Sequence, residues 1–135
     1  MIFFFDENII EHITRMLAAF DRQHEMRHAL DHFDRGTPDT EWIRVVASWK
    51  GDPVAVCADG RILRNKVERQ VLKESGLMFV YLASGWTNTP WPDYAWKIVK
   101  VWPHIVRNVS QARYPMVFEV TVGLKVQEFA RIDRL

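Results

Sequence analysis

Apolar positions along this chain keep two different rhythms. "IFFF" at residues 2–5, "PVAVCA" at 53–58 and "LMFVYLA" at 77–83 are nearly unbroken apolar runs, which read as strands buried on both faces. Between the first two, Ile9, Ile10, Ile13, Met16, Leu17 and Phe20 recur at helical spacing, with Glu11, Thr14, Arg15 and Arg22 mainly opposite. Asn8 stands three residues before Glu11, the spacing of a capping box, so the helix is expected to open there. Thr37 and Pro38 offer the cap and first residue of a second helix, running through Trp42, Ile43, Val46 and Ala47 to about Trp49. His24–Leu30 is ambiguous, but its length and the turn-rich "DRGTPD" after it favour a strand.

A charged helix is predicted over roughly Arg64 to Glu74, ended by Gly76. The loop "SGWTNTPWPD" leads into a long helix from about Asp93, with an apolar stripe of Ala95, Ile98, Val99 and Trp102 and a kink or interruption expected at Pro103. "MVFEVTV" and "KVQEFARI" alternate in polarity and close the chain as one or two strands. Alternating strands and helices predict an α/β fold with a mostly parallel central sheet and helices on both faces.

Composition narrows the partners. With 135 residues, 48% of them hydrophobic, the chain suits one domain, 1–135. Lys+Arg of 18 against Asp+Glu of 17 leaves a charge of +1, so any polyanion must find a local basic patch. The first apolar run stops at Asp6, short of a secretory core, and no run approaches the ~18 residues of a membrane span, so a cytoplasmic protein is expected. Cys57 is the only cysteine, which excludes an internal disulfide, and its apolar neighbours predict a buried small residue in place of a catalytic thiol.

The acids carry the chemistry. In open parallel sheets the site lies beyond the carboxyl ends of the strands. Asp6 follows the first apolar strand, Asp59 the third, and Asp39 and Glu41 fall in the first turn of the helix between them. Helix amino ends attract acids on their own account, but two acids closing separate buried strands are harder to assign to capping. Hard ions such as Mg²⁺ or Mn²⁺ prefer such oxygen ligands.

The order of "IFFFDEN", "TPDTEW" and "VCADGRILRNKVE", followed by "LASGW" and "AWKIVKVWP", resembles the PIN-like nucleases, in particular their VapC-type toxin branch, over about residues 1 to 108. The resemblance implies a three-layer α/β/α PIN-like fold, Mg²⁺- or Mn²⁺-dependent hydrolysis of RNA and a role as the toxin of a type II toxin-antitoxin pair. It implies that Asp6, Asp39 or Glu41, and Asp59 serve the metal and the catalysis, with Glu7 or Glu68 completing the site. Arg61 stands where many relatives carry a second acid, and Cys57 where many carry Thr or Ser.

Asn8, Arg61, Arg64 and Asn65 are the candidate substrate-binding residues, with Arg61, Arg64 or Asn65, and Glu68 placed on one helical face next to Asp59. Lys97, Lys100, His104 and Arg107 form a longer basic row, which more often is plain exposed surface. Among Trp86, Trp91, Trp96 and Trp102 core packing is the expectation for most, with Trp91 the candidate for a binding role. His24, His28 and His32 cannot converge on one zinc ion from a single element. The partners expected are RNA and an antitoxin protein, with an edge strand or the C-terminal "KVQEFARIDRL" available for a homodimer. Two other functions compete. One is a catalytically silent module that binds RNA or a partner. The other is a receiver-like phosphoacceptor built on Asp6, Glu7, Asp59 and Ser84, which lacks the strand-five Lys-Pro pair because Lys125 precedes Val126.

Overall fold

The computed structural model describes all 135 residues. Strand β1 (Ile2–Phe5) leads to α1 (Glu11–Phe20), β2 (Glu25–His28) to α2 (Asp39–Ala47), and β3 (Pro53–Cys57) to the short α3 (Arg61–Arg64) and then α4 (Lys66–Ser75). β4 (Met78–Leu82) leads to α5 (Trp91–Gln111), and β5 (Met116–Val120) and β6 (Val126–Arg131) close the chain. The six strands lie in the order β2-β1-β3-β4-β5-β6, parallel except for β6, which runs antiparallel to β5. The result is the three-layer α/β fold expected from the alternating pattern.

Both faces of the sheet are buried, which is why its strands read as continuous apolar runs. Phe3, Phe5, Val54, Val56, Val80 and Leu82 face α1 and α5, where Ile13, Leu17, Ile98, Trp102 and Ile105 meet them. The alternate residues Phe4, Ala55, Cys57 and Phe79 face α2 and α4, against Trp42, Ile43, Val46, Val71 and Leu72. This period of two along each strand separates the layers.

Strand β2 lies on one side of β1 and β3 on the other, so the crossovers leave β1 in opposite directions and open a crevice between the carboxyl ends of β1 and β3. Phe5 pairs with Val56 there, and the Asp6 N–H donates to the Val56 carbonyl at 3.0 Å, carrying the ladder one residue further. Asp6 and Asp59 therefore leave the sheet on either side of the crevice.

Several helix boundaries differ from expectation. Asn8 does not cap α1; the cap position is Ile10, without a side-chain cap, and the Asn8 amide donates to the Asp6 carboxylate at 3.2 Å. Thr37 does not cap α2 either: Pro38 holds that position and the Thr37 hydroxyl donates to the Asp34 carbonyl. In both places a nearer acceptor captures the polar side chain. α2 stops at Ala47, two residues before the expected end at Trp49. The charged helix is broken at Asn65, whose Oδ1 accepts from the N–H groups of Val67 and Glu68 and caps α4. Gly76 ends α4 as expected, with a left-handed φ of 67°. β2 stops at His28 and the chain passes into a 3₁₀ turn at Ala29–Asp31.

Helix α5 begins at Trp91, two residues before Asp93, and runs through Pro103 without interruption. Pro103 sits on the exposed face, where water can satisfy the carbonyl left without a donor. No helix is long and apolar enough to cross a membrane.

Candidate functional site

Asp6 is the residue on which the crevice is built. It is only 4% exposed. One carboxylate oxygen accepts from the Glu7 N–H at 2.8 Å and the other from the Asn8 amide. These bonds orient the carboxylate without supplying a cation. Burial first, then the negative charge of Asp39, push the Asp6 carboxyl up to about 6; the Glu7 N–H opposes this, and Glu7 and Asp59 add to it.

Asp39 enters from the first turn of α2. Its Oδ1 accepts a 2.7 Å hydrogen bond from the indole N–H of Trp42, three residues along the same helix. Burial raises its carboxyl, the Trp42 bond works against that, and the charge of Asp59 raises it further. Glu68 arrives from the first turn of α4. Burial and the charge of Asp39 raise its carboxyl, a side-chain hydrogen bond with Asp39 adds to this, and no N–H or hydroxyl reaches its buried Oε2.

Asp59 is different. Burial works to raise it, but Arg61 overrides this: its N–H donates to Oδ1 at 3.0 Å and its Nε to Oδ2 at 2.7 Å, and the carboxyl falls below the ordinary aspartate value. The tight turn depends on Gly60, where an added Cβ would lie 2.8 Å from the Tyr81 hydroxyl. Arg61 thus holds Asp59 and is not aligned with Glu68 on a continuous helix, because the break at Asn65 separates them.

The structure therefore brings the charges of Asp6, Glu7, Asp39, Asp59 and Glu68 to bear on one another. Glu41 stands apart. It is exposed and lines a separate shallow groove with His32, Asp34 and Thr37. Glu7 has another task, accepting the Gly36 N–H at 3.1 and 3.2 Å and so pinning the turn that leads to α2. Asn8 and Asn65 are spent on Asp6 and on the cap of α4. Arg64 is exposed, and its charge helps to lower Asp59.

A family model described as a PIN like domain matches residues 1–84. The chain belongs to the PIN-like domain family. The PIN-like region runs from β1 through β4 and contains all five acids, whereas α5, β5 and β6 lie beyond it. No curated protein and no solved structure shows a significant match.

The donor set fits a hard divalent ion. Its members are oxygens only, Asp6 is costly to ionise without a cation, and the Glu68 Oε2 is a buried acceptor in want of a donor or a metal. No three of these acids, nor any histidine or cysteine, converge as a finished cage. Mg²⁺ is usually held by one or two carboxylates with water completing its shell, so an open arrangement suits it.

Other polar candidates are accounted for differently. Cys57 is fully buried, and burial followed by the charges of Asp6, Asp39 and Asp59 drives its thiol far up, so it is no nucleophile. The buried His28 uses both ring nitrogens, Nε2 donating to the Ile9 carbonyl at 2.7 Å and Nδ1 accepting from the Leu30 N–H at 3.2 Å, which removes it from zinc chemistry. Trp86 and Trp102 are core residues, while Trp91 and Trp96 are exposed. The strand order is compatible with a receiver, but the cations that act on Asp59 are Arg61 and Arg64, and Lys125 is exposed in the β5–β6 turn.

The contacts at this crevice hidden in the letters were the Trp42–Asp39 bond and the Asp59–Arg61 pair. The spacing of three between Asp39 and Trp42 was the available signal for the first.

Proposed function

We propose that this PIN-like domain is an endoribonuclease that works with Mg²⁺ or Mn²⁺ and acts as the toxin of a type II toxin-antitoxin pair. The single observation that carries the nuclease reading is a buried aspartate at the β1/β3 switch point, pressed by its neighbour Glu7 and by acids from two other elements, Asp39 and Asp59, and lacking a cation of its own. The toxin role and the antitoxin partner rest on the likeness of "DEN", "LASGW" and "AWKIVKVWP" to the VapC-type branch.

One or two of Asp6, Asp39 and Asp59 would hold the ion directly, with water completing its shell and the remaining acids, Glu68 among them, reaching it through that water. When bound, a divalent ion supplies Lewis acidity, polarising a phosphoryl oxygen and acidifying water. Asp39 and Asp59 are the candidate bases for the proton of the attacking water. With Cys57 buried and protonated, water is the nucleophile.

Calorimetric titration with Mn²⁺, alongside cleavage of unstructured RNA, tests this reading. Folded protein that neither binds the ion nor cuts RNA sinks it. The Arg61 guanidinium seated on Asp59 favours one second reading, a silent RNA-binding module, which ion binding without hydrolysis would support.

A further inference from the structure

The chemistry described so far gathers at the crevice, but α5 carries a surface that it does not use. Its apolar stripe of Tyr94, Ile98, Val101, Trp102, Ile105 and Val109 is buried against the sheet and α1. On the outer side Trp96 is 50% exposed, followed along the same side by Lys100, Pro103 and Arg107. The Lys97 and Lys100 ammonium groups each lie 5.9 Å from the centre of the Trp96 ring. The Trp96 indole N–H is already directed at Asp93 Oδ1, at 3.3 Å, which leaves the ring as the free recognition surface.

Two observations connect this face to the crevice. α5 starts from the carboxyl end of β4, and Trp91 in its first turn is 42% exposed. The Trp91 ring meets His12 of α1 edge-on at 5.8 Å, and α1 starts from the loop that carries Asp6. The helix has one acid, Asp93, against Lys97, Lys100 and Arg107, a local excess of positive charge in a chain of net charge +1.

We propose that the outer face of α5 is a docking track for single-stranded RNA, with a base stacking on Trp96, phosphates following Lys100 and Arg107 with Lys97 at the flank, and Trp91 offering a second ring at the helix start on the side toward α1. Exposed indoles interleaved with ammonium groups match a flexible polyanion that offers flat π faces. A protein partner would be met by a centre depleted of lysine, which this face is not. The track rests on the nuclease reading for its choice of RNA, but it requires no metal.

The test is fluorescence anisotropy of a labelled unstructured RNA in EDTA, with a duplex of the same sequence as competitor. Single strand should bind in preference to duplex. Trp96→Ala should weaken binding roughly 5- to 100-fold, the worth of one stacked base. Lys97→Ala with Lys100→Ala should flatten the dependence of log K on log salt by about 1.4, from ~0.7 per phosphate contact on a single strand. Trp96 and Lys100 are on the outer face and Lys97 is half-buried at its flank, and matched thermal melts verify folding.

Cleavage of RNA by wild type with binding unchanged in these variants overturns the track alone. Track-dependent binding without cleavage in Mn²⁺ overturns the nuclease reading alone. Loss of self-association in Trp96→Ala, seen by sedimentation with RNA affinity intact, would make this face a contact between copies and overturn the proposal.

Discussion

The ends of β1 and β3 are neighbours in one sheet, and each is followed by an aspartate, yet the two carboxyl groups live in opposite electrostatic conditions. Asp6 is buried, oriented by an amide and an asparagine, and pushed up to about 6 by burial and by Asp39. Asp59 is gripped by Arg61 two residues on and lies below the ordinary value. Equivalent places in the topology thus differ in charge balance: Asp6 has no cationic partner, and Asp59 has Arg61. The contrast explains how the site stays anionic although Arg61 neutralises one of its acids.

Removing the unsatisfied member should have the largest effect. Asp6→Asn should reduce RNA cleavage by more than the roughly 10- to 100-fold that loss of an outer-shell partner costs, and relieve any growth arrest on expression. The same change should make the metal-free protein more stable at pH 7, by about 1–2 kcal/mol, because a buried charge is deleted. Urea melts of both proteins, compared with cleavage rates, check the pair of outcomes. Lower stability together with full activity would contradict the role given to Asp6.

The next effect is one of pH. The folded carboxyl of Asp6 lies above its unfolded value of 3.8, so the native state holds a proton that the unfolded chain releases. Its contribution to stability is complete below about pH 4 and is lost as pH rises through about 6, an amount of up to about 3 kcal/mol. Wild type should converge on Asp6→Asn in stability as the pH is lowered, and diverge from it above pH 6. Mn²⁺ affinity should move the other way, falling about tenfold per unit as pH drops below about 6, since the ion competes with the proton.

A smaller change is expected at the satisfied end. Arg61→Ala should let the Asp59 carboxyl rise toward its ordinary range, seen by NMR titration of the side chain, and tighten Mn²⁺ binding several-fold by removing the competing cation. An unchanged affinity would mean that Asp59 does not share the ion. The smallest effect belongs to Glu41→Gln, which should alter cleavage by less than about twofold, as an exposed substitution away from the site.

How far this contrast was legible depended on which residues a pattern involves. β1, β3 and β4 were readable because parallel strands covered on both faces need continuous apolar runs, and α1 because its buried side repeats at helical spacing. Strand-end position alone pointed to Asp6 and Asp59. The expected caps at Asn8 and Thr37 do not form because each side chain, instead of accepting a helix N–H, donates to a local oxygen, Asp6 Oδ2 and the Asp34 carbonyl. Asp39 and Glu41 were inseparable on paper. They lie two positions apart in one helical turn, and only packing decides which turns toward the crevice. The break at Asn65, which separates Arg61 from the helix of Glu68, was concealed by the charged pattern of residues 64–74.

The parallel order of the first five strands has one more consequence. Each helix connecting them begins on the crevice side, so the amino ends of α1, α2, α4 and α5 gather where the carboxylates do. Those ends carry partial positive charge. The backbone itself therefore lends a diffuse electropositive background to the mouth of the sheet, softening repulsion among the acids gathered there.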